Sequence, residues 1–369
     1  MPILKKIVVQ DFRNIVLQEL EFSPNVNCIS GGNGEGKTNL LDAIYYLAMT
    51  KSAQGGGDRF NFRYGTGAFA LSGQYEMNNG ISSRFAVQVS SNGEKKVLRD
   101  DKPYGKISAH IGTLPIVMVS PADISMVSES GEERRKFVNA VLSQMDSEYL
   151  SSVQQYNRLL LQRNKLLKEG KLDNDLLDVI DMRMSRDASL IYERRKSFCT
   201  DLLPIVREYY KEISGGLEEV GIEYRSDLSK MPFEELMKNG RERDMALRYT
   251  ASGVQRDDFI FTMNSYPIRK CGSQGQQKSF LVALKFAQYE LMKKRYGFPP
   301  TLLLDDLFDK LDMNRVGNLL RMVAGKDFGQ IFLSDTNKVR ISSLVDAITA
   351  DRRYLETKEG TFNVADGKE

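Results

Sequence analysis

Residues 31–38 read Gly31-Gly32-Asn33-Gly34-Glu35-Gly36-Lys37-Thr38, which fits the phosphate-loop pattern G-x-x-x-x-G-K-[ST]. The apolar run at 26–30 predicts a buried strand before this loop, and apolar residues at helical spacing predict a helix after it. Glycines let the backbone aim its N–H groups at phosphate oxygens, and a helix start adds partial positive charge. We therefore predict that residues 31–38, the phosphate loop, bind a nucleotide. A glycine-rich turn with a chance lysine is the alternative.

A second segment, the acidic segment 301–306, reads Thr301-Leu302-Leu303-Leu304-Asp305-Asp306. A buried strand that ends in carboxylates fits the Walker B motif of an ATPase, because it can hold a carboxylate at a metal ion. With the phosphate loop, it predicts that Lys37 reaches the β- and γ-phosphates of ATP and that Thr38 and Asp305 bind Mg²⁺. Asp306 is expected to orient or deprotonate the attacking water. A helix N-cap after a core strand is the alternative for the two aspartates.

A third segment, the signature segment 273–276, reads Ser273-Gln274-Gly275-Gln276 and precedes a helical pattern. A serine hydroxyl and glycine N–H groups at a helix start can bind an anion, although an ordinary helix cap is the better explanation of the tetrad by itself. The tetrad comes about 30 residues before the acidic segment, and Leu311-Asp312 follows it, which is the motif order of ABC-type ATPase heads. We predict that Ser273, Gly275 and Gln276 contact ATP held by a second copy of the chain, so that the protein dimerises around ATP. Asp312 is also predicted to contribute to nucleotide binding.

Composition narrows the class of protein. The 369 residues are 41% hydrophobic, enough for a large core, and no run of about 18 apolar residues predicts a membrane span. The three cysteines are scattered, and no signal-peptide pattern opens the chain, so we expect a cytoplasmic protein. The net charge of +3 does not by itself indicate nucleic-acid binding. A local basic patch could still bind DNA, or could be a solvated helix face: Arg158, Arg163, Lys165, Lys168, Lys171, Arg183, Arg186, Arg194, Arg195 and Lys196.

The periodicity of apolar residues changes along the chain. Alternating patterns and a turn at 91–94 predict strands early in the chain, whereas long helical periodicity begins near residue 131. We predict an α/β fold: an ABC-type P-loop ATPase lobe, discontinuous over 1–115 and 250–369, with a mixed core sheet, helices and an antiparallel β subdomain. Residues 116–249 are predicted to form an inserted, mostly helical lobe in which Pro204 kinks or stops a helix. Residues 357–369 are predicted to be a polar, frayed tail.

Motifs spread over the whole chain give it a close resemblance to the RecF family, bacterial DNA replication and repair ATPases related to the heads of SMC proteins. The motifs are Phe12-Arg13-Asn14, the phosphate loop with its following helix to Leu47, Ser120-Pro121-Ala122-Asp123, Gln162 to Leu167, Arg256-Asp257-Asp258, the tetrad extended to Lys278, and Leu302 to Asp312. The resemblance implies an ATP-dependent homodimer that binds duplex or gapped DNA. It also implies a slow, DNA-stimulated ATPase that acts as a switch and helps RecO and RecR load RecA on single-stranded gaps.

By position, the resemblance implies that Ser273 acts on the partner's nucleotide, that Asp312 lies in the D-loop and that 120–123 form the Q-loop. The chain departs from the family at several points. Gln255 stands where a histidine is usual, residues 53–57 replace an arginine-bearing loop, and Glu35 adds negative charge that is expected to weaken nucleotide binding. Its only histidine, His110, is poorly placed to sense the γ-phosphate. That role is expected to fall to Ser334, Asp335 or Thr336.

Other functions fit parts of the pattern. Another SMC-like ATPase, structural or associated with a nuclease, would share these motifs, but about 60 residues after the acidic segment leave little room for a nuclease domain. A transporter ATPase subunit would lack Phe12-Arg13-Asn14 and Arg256-Asp257-Asp258. A small-molecule kinase would leave the signature segment without a purpose.

Overall fold

The structure, a computed structural model, describes residues 1–129, 131–169, 174–216, 218–306, 328–346 and 349–365. The chain divides into two compact units. Unit 1 comprises Met1–Asp123, Glu212–Ser214 and Leu281–Glu369, and unit 2 comprises Ile124–Lys211 and Gly215–Phe280. None of the helices within these described ranges is both long enough and apolar enough to span a membrane.

The described strands are β1 (Ile3–Phe12), β2 (Ile15–Glu21), β3 (Val26–Ser30), β4 (Ala68–Glu76), β5 (Ser82–Ser90), β6 (Lys95–Arg99), β7 (Lys102–Pro103), β8 (Ile116–Val119), β9 (Val220–Arg225), β10 (Asp258–Met263), β11 (Tyr266–Pro267), β12 (Thr301–Leu304), β13 (Ile331–Asp335), β14 (Arg352–Lys358) and β15 (Thr361–Ala365). The described helices are α1 (Lys37–Met49), α2 (Ser125–Ser128), α3 (Gly131–Met145), α4 (Ser147–Glu169), α5 (Asn174–Ser214), α6 (Phe233–Leu247), α7 (Ile268–Cys271), α8 (Gln274–Tyr296) and α9 (Lys338–Asp346).

The core sheet of unit 1 has the order β15-β14-β3-β13-β12-β8. All neighbours from β14 to β8 are parallel, and only β15 is antiparallel. Strands β3, β8, β12 and β13 are buried along their whole length, as expected for a parallel sheet covered on both faces. Ligands of such sheets bind beyond the carboxyl ends of the strands, where the phosphate loop follows β3 and Asp305 follows β12.

A second sheet of unit 1 is antiparallel, in the order β2-β1-β4-β5-β6-β7. Helix α1 contacts strands of both sheets. It is therefore buried around most of its circumference, from Leu40 and Leu41 to Ala48 and Met49. The mixed core sheet, the antiparallel sheet and the strand–loop–helix order are as the sequence predicts.

Unit 2 is mostly helical, with α2 to α7, the start of α8, and the antiparallel sheet β11-β10-β9. Its core contains Tyr149, Tyr156 and Tyr209, each at most 1% exposed. Helix α5 continues past Pro204, so the prediction that this proline stops a helix is wrong. Val206 and Tyr209, on the next turn, are buried, and we attribute the continuation to that packing.

The unit boundaries lie elsewhere than the sequence suggested. Strand β8, expected at the start of the inserted lobe, pairs with β12 in the core sheet, and the inserted unit begins at Ile124. It extends to Phe280, inside α8, and so includes the signature segment. The predicted frayed tail is instead strand β15 as far as Ala365, because β15 pairs with β14.

Candidate functional site

The phosphate loop is a compact turn closed by its own lysine. Lys37 is 4% exposed, and its Nζ donates to the carbonyl oxygens of Gly31 and Gly32, both at 2.9 Å. Gly31, Gly34 and Gly36 have φ angles of 156°, 81° and 112°, which L-residues with a Cβ rarely adopt. This backbone, with a lysine inside its curve, fits phosphate groups, because successive N–H groups and an ammonium are phosphate ligands.

The start of α1 is not capped by a side chain. Its N-cap is Gly36, which makes no side-chain capping bond, and its first turn contains no acidic residue. The N–H groups and the partial positive charge of a helix start favour an anion. The start of α1 is therefore suited to binding a phosphate group of a ligand.

Asp305 and Thr38, the two predicted Mg²⁺ ligands, are in contact. The Thr38 Oγ1 donates to the Asp305 carboxylate at 2.8 and 3.0 Å. Asp305 is 2% exposed, and burial raises the pKa of its carboxyl group, an effect that hydrogen bonds from Ser334 and Thr38 partly offset. A hydroxyl and one carboxylate beside a phosphate loop fit Mg²⁺, which retains waters and takes its remaining ligands from substrate phosphates.

Ser334 links the two acids of the acidic segment. Its Oγ donates to Asp305 Oδ1 at 2.6 Å and accepts from the Asp306 N–H at 3.0 Å. Asp306 has a φ of 42°, so the chain turns sharply where β12 ends. Ser334 is one of the three residues expected to replace a switch histidine, and it contacts the Asp305 side chain and the Asp306 backbone. Asp335 accepts from the Asn337 N–H at 2.8 Å, and Thr336 is exposed.

The turn between β14 and β15 braces the phosphate loop from outside. The Glu35 carbonyl accepts from Gly360 N at 2.8 Å, from Thr357 Oγ1 at 3.0 Å and from Asn14 Nδ2 at 3.3 Å. The Glu35 carboxylate accepts from the Glu359 N–H. The approach is so close that a Cβ on Gly31 would lie 2.6 Å from the Thr357 carbonyl oxygen.

This brace was missed from the sequence. Asn14 belongs to a motif that was noted, but nothing in 357–360 beyond an ordinary Glu-Gly turn signalled a contact with a loop more than 300 positions away. The sequence predicts that the negative charge of Glu35 weakens nucleotide binding. In the structure, that carboxylate accepts a hydrogen bond from the backbone of this turn.

Arg13 organises the altered loop at 53–57. It forms a 2.6 Å ion pair with buried Asp42 and donates to Gln54 Oε1 and Asn39 Oδ1 at 2.9 and 3.1 Å. Asn39 in turn donates to Asn14 Oδ1 at 2.8 Å. The loop and the first turn of α1 therefore share one polar network.

The signature segment forms a capping box at the start of α8. The Ser273 N–H donates to Gln276 Oε1 at 2.7 Å, and the Gln276 N–H donates to Ser273 Oγ at 3.3 Å, the reciprocal pattern of that motif. Gln276 also donates to Glu218 Oε1 at 2.7 Å. Ser273 is exposed, so the cap fixes the serine at a helix start that faces solvent.

The structure places the remaining candidates as follows. Asp312 of the predicted D-loop lies outside the described residues. Asp123 accepts from the Ser120 N–H at 2.7 Å and pairs with Lys285 at 2.9 Å. His110 is buried, bonded to the Leu47 carbonyl at 2.8 Å, and burial lowers its pKa.

Two members of the predicted basic patch are buried. Arg163 is fully buried and pairs with Asp181 at 2.7 Å and Asp244 at 2.6 Å. Arg195 is 3% exposed and pairs with Asp257 at 2.6 Å. The prediction that these two arginines belong to an exposed patch is therefore wrong. The others that the structure describes are exposed: Arg158, Lys165, Lys168, Arg183, Arg186, Arg194 and Lys196.

Comparison with known proteins agrees with this geometry. A family model described as an AAA domain matches residues 6–214. The chain is 41% identical over 97% of its length to the DNA replication and repair protein RecF of Parabacteroides distasonis, 98% of which it covers. It is 42% identical over 93% of its length to RecF of Flavobacterium johnsoniae, 96% of which it covers.

Solved structures show the same fold. A structure of the recombination mediator protein RecF with ATP, in the RecFOR pathway, matches with a TM-score of 0.89 at 27% identity, covering 99% of this chain and 98% of that chain. The Smc head domain from Pyrococcus furiosus matches with a TM-score of 0.56 at 15% identity, covering 99% of this chain and 96% of that chain, which shows the fold alone. Fold and site thus define an ABC-type P-loop ATPase head. Within that class, the chain belongs to the RecF family of DNA replication and repair proteins.

Proposed function

We propose that this protein is an ATP-dependent, DNA-binding recombination and repair mediator that dimerises on ATP. The observation that carries the proposal is the contact between Thr38 and Asp305 beside the closed phosphate loop. That contact brings together the two residues that we propose to bind Mg²⁺. The ATP named with the solved RecF structure supports ATP as the nucleotide.

Each residue of the proposed ATP site then has a distinct role. The loop 31–38 and Lys37 would hold the phosphates, Thr38 and Asp305 would hold Mg²⁺, and Ser334 fixes Asp305 and the backbone of Asp306. Asp306 would orient or deprotonate the attacking water. Bound ATP with Mg²⁺ would supply the γ-phosphoryl group that is transferred to water. Because this hydrolysis is slow, it would set how long the ATP-bound state lasts.

The exposed signature segment supports the proposed dimer. Ser273, Gly275 and Gln276 stand at a capped helix start, which suits an anion presented by another molecule. Two copies arranged head to head would share each γ-phosphate. ATP would therefore stabilise the dimer, whereas ADP, which lacks that phosphate, would not.

The DNA role rests on the relatives. They are named DNA replication and repair proteins, and the solved relative is placed in the RecFOR pathway. We propose that the dimer binds duplex or gapped DNA in the cytoplasm and helps RecO-type and RecR-type proteins load a recombinase at single-stranded gaps. The exposed cations of unit 2 supply positive charge for DNA, as phosphate contacts require.

The proposal is tested by sedimentation of the full chain with ATP, ADP or no nucleotide, each with Mg²⁺ and with or without gapped DNA. We expect the chain to dimerise with ATP but not with ADP or without nucleotide. ATP should also raise the affinity for gapped DNA, and that affinity should fall steeply as the salt concentration rises. A chain that stays monomeric with ATP, or binds DNA equally well with ADP, would refute the switch.

A further inference from the structure

The segment that follows α1 in unit 1 exposes two aromatic rings to solvent. We call this segment, residues 51–66, the aromatic loop. Phe60 is 61% exposed and Tyr64 is 99% exposed. Apolar residues that are exposed singly are common on protein surfaces, but two exposed rings in one short segment form a surface on which a flat ligand can stack.

The backbone between the two rings is anchored to the end of β1. The Arg13 N–H donates to the Asn61 carbonyl at 2.9 Å, and Arg13 Nη2 donates to Asn61 Oδ1 at 3.1 Å. Asn61 is only 1% exposed. The Arg63 N–H donates to the Asp11 carbonyl at 2.9 Å. A surface held in place in this way loses little conformational entropy when it binds a ligand.

Phe60 is held by its neighbours in the loop. It ends the short 3₁₀ turn Asp58–Phe60. Gly56, whose φ is 75°, approaches the ring so closely that a Cβ there would lie 2.9 Å from it. The guanidinium carbon of Arg59 lies 4.6 Å from the ring centroid, which is within the range of a cation–π contact. The ring and the guanidinium therefore form one cationic stacking surface.

Tyr64 lies at the corner of a tight turn. The Thr66 N–H donates to the Arg63 carbonyl at 3.0 Å, and Gly65 has a φ of 81°, as the third residue of a type II turn requires. This turn explains how the Tyr64 side chain can be almost fully exposed although the residues before it are anchored.

The aromatic loop carries net positive charge. It contains three cations, Lys51, Arg59 and Arg63, and one carboxylate, Asp58. Four carboxylates in or beside the loop are each paired with a cation: Asp58 with Lys95 at 2.8 Å, Asp11 with Arg63 at 2.6 Å, Asp42 with Arg13 at 2.6 Å and Glu94 with Lys96 at 2.9 Å. Lys51 and Arg59 are exposed and form no ion pair with any residue that the structure describes.

Exposed rings beside unpaired cations are typical of surfaces that bind single-stranded nucleic acid, because bases stack on the rings and cations attract the phosphates. Duplex DNA cannot use the rings in this way, since its bases already stack on one another. A protein interface would place other apolar residues around the rings. The residues that flank them here are instead glycine or polar: Gly55, Gly56, Gly57, Asp58, Gly65 and Thr66.

We propose that the aromatic loop binds the unpaired bases of a DNA gap. Phe60 and Tyr64 would provide the stacking surfaces, and Arg59 and Lys51 would attract the adjacent phosphates. This inference rests on the proposed DNA-binding function, which does not specify the part of gapped DNA that is contacted or the residues of unit 1 that contact it.

The test compares three DNA probes: a labelled oligothymidine, a duplex without a gap, and the same duplex with a thymidine gap. Fluorescence anisotropy of the full chain with ATP and Mg²⁺ measures the affinity for each. Phe60→Ala and Tyr64→Ala should each weaken binding to the oligothymidine and to the gapped duplex about fivefold or more, because each removes a stacked ring. Affinity for the duplex without a gap should change by less than about twofold.

Matched variants separate the ring from other effects of substitution. Phe60→Tyr and Tyr64→Phe keep the ring and should bind gapped DNA as the wild type does. Ile81→Ala removes a side chain that is 59% exposed, from the turn between β4 and β5, and should have no effect. Since both rings are largely exposed, every variant should keep the wild-type melting temperature.

Stacking and charge can be measured separately. A gap of abasic sites keeps the phosphates but has no bases, so the wild type should bind it more weakly than the thymidine gap, and Tyr64→Ala should weaken that binding no further. Arg59→Gln should lower the slope of log K against log[salt] for the oligothymidine by about 0.7, the value for one phosphate contact on a single strand.

The outcomes distinguish this inference from the proposed function. Wild-type affinity of Phe60→Ala and Tyr64→Ala for the oligothymidine and the gapped duplex would overturn the inference but leave the function standing. Weaker ATP binding by these variants, with unchanged DNA binding, would also overturn it, because the rings would then contact the nucleotide. A wild-type chain that binds none of the three probes would refute both.

Discussion

The phosphate loop and the signature segment carry the two predicted halves of one site, but they are held in different ways. Lys37 is almost fully buried and bonded to its own loop, and the turn at 357–360 braces that loop from outside. Ser273 is exposed, and its hydrogen bonds lie within its own helix cap. The first half-site is thus preformed, whereas the second presents a helix start to solvent. Such a difference fits a nucleotide that binds one copy and then recruits another.

The largest expected effect is on the preformed half. Lys37→Ala removes an ammonium that phosphate would otherwise engage, and charge-assisted hydrogen bonds contribute about 1.5–3 kcal/mol each. We expect ATP affinity to fall about 100-fold or more. Fluorescence titration with labelled ATP measures it, and Lys102→Ala, on an exposed strand, serves as control. A loss smaller than about threefold would show that the loop is not the primary phosphate site.

The next largest effect distinguishes the signature segment from the phosphate loop. Ser273→Arg should leave ATP affinity of the monomer within about threefold, since the phosphate loop is untouched, but should abolish the ATP-dependent dimer by blocking the helix start. Sedimentation with ATP measures the dimer, and Ser265→Arg, the same change at an exposed turn of unit 2, is the control. An undiminished dimer in the Ser273→Arg protein would count against a shared site.

A smaller effect tests the brace. Glu35→Ala removes the carboxylate that accepts from the Glu359 N–H, and we expect the loosened loop to bind ATP about threefold to tenfold more weakly. Glu35→Gln keeps an acceptor and should lose less. Charge repulsion, as expected from the sequence alone, predicts the opposite sign, so tighter ATP binding by both variants would show that the bracing role is wrong.

The smallest effect concerns Asp305. Its raised pKa means that the neutral form is favoured in the folded state. That advantage is complete below the pKa of the unfolded chain, about 3.9, and is lost as the pH rises through the raised value. Without Mg²⁺ at pH 7, Asp305→Asn should therefore raise the melting temperature by a few degrees, and the gain should shrink as the pH is lowered. Calorimetry that shows a lower melting temperature at pH 7 would contradict this.

Local features of this molecule could be predicted from sequence, and distant contacts could not. The strand at 26–30, the phosphate loop and α1 follow one another along the chain, so spacing and glycine content were enough to predict them. The turn at 91–94, which joins the hairpin of β5 and β6, and the end of β12 are local in the same sense. The approach of Thr357 to Glu35 spans 322 positions, and no local pattern marks it.

The buried arginines show the same limit. Arg163 looks like a surface cation in a basic helix, but its carboxylate partners lie 18 and 81 positions away. Only the packing of α4 against α6 and the burial of Asp181 and Asp244 reveal it as a core residue. Counting charged residues along α4 and α5 therefore overestimated the positive surface of unit 2.

The most direct measurement mixes two defective proteins. Lys37→Ala retains an intact signature segment, and Ser273→Arg retains an intact phosphate loop, so a mixed dimer has one complete site built from both chains. We expect each protein alone to hydrolyse almost no ATP and an equimolar mixture to recover up to about a quarter of the wild-type rate, since half of random dimers are mixed. A mixture as inactive as its components, or a Ser273→Arg monomer that hydrolyses ATP at the wild-type rate, would contradict the shared site.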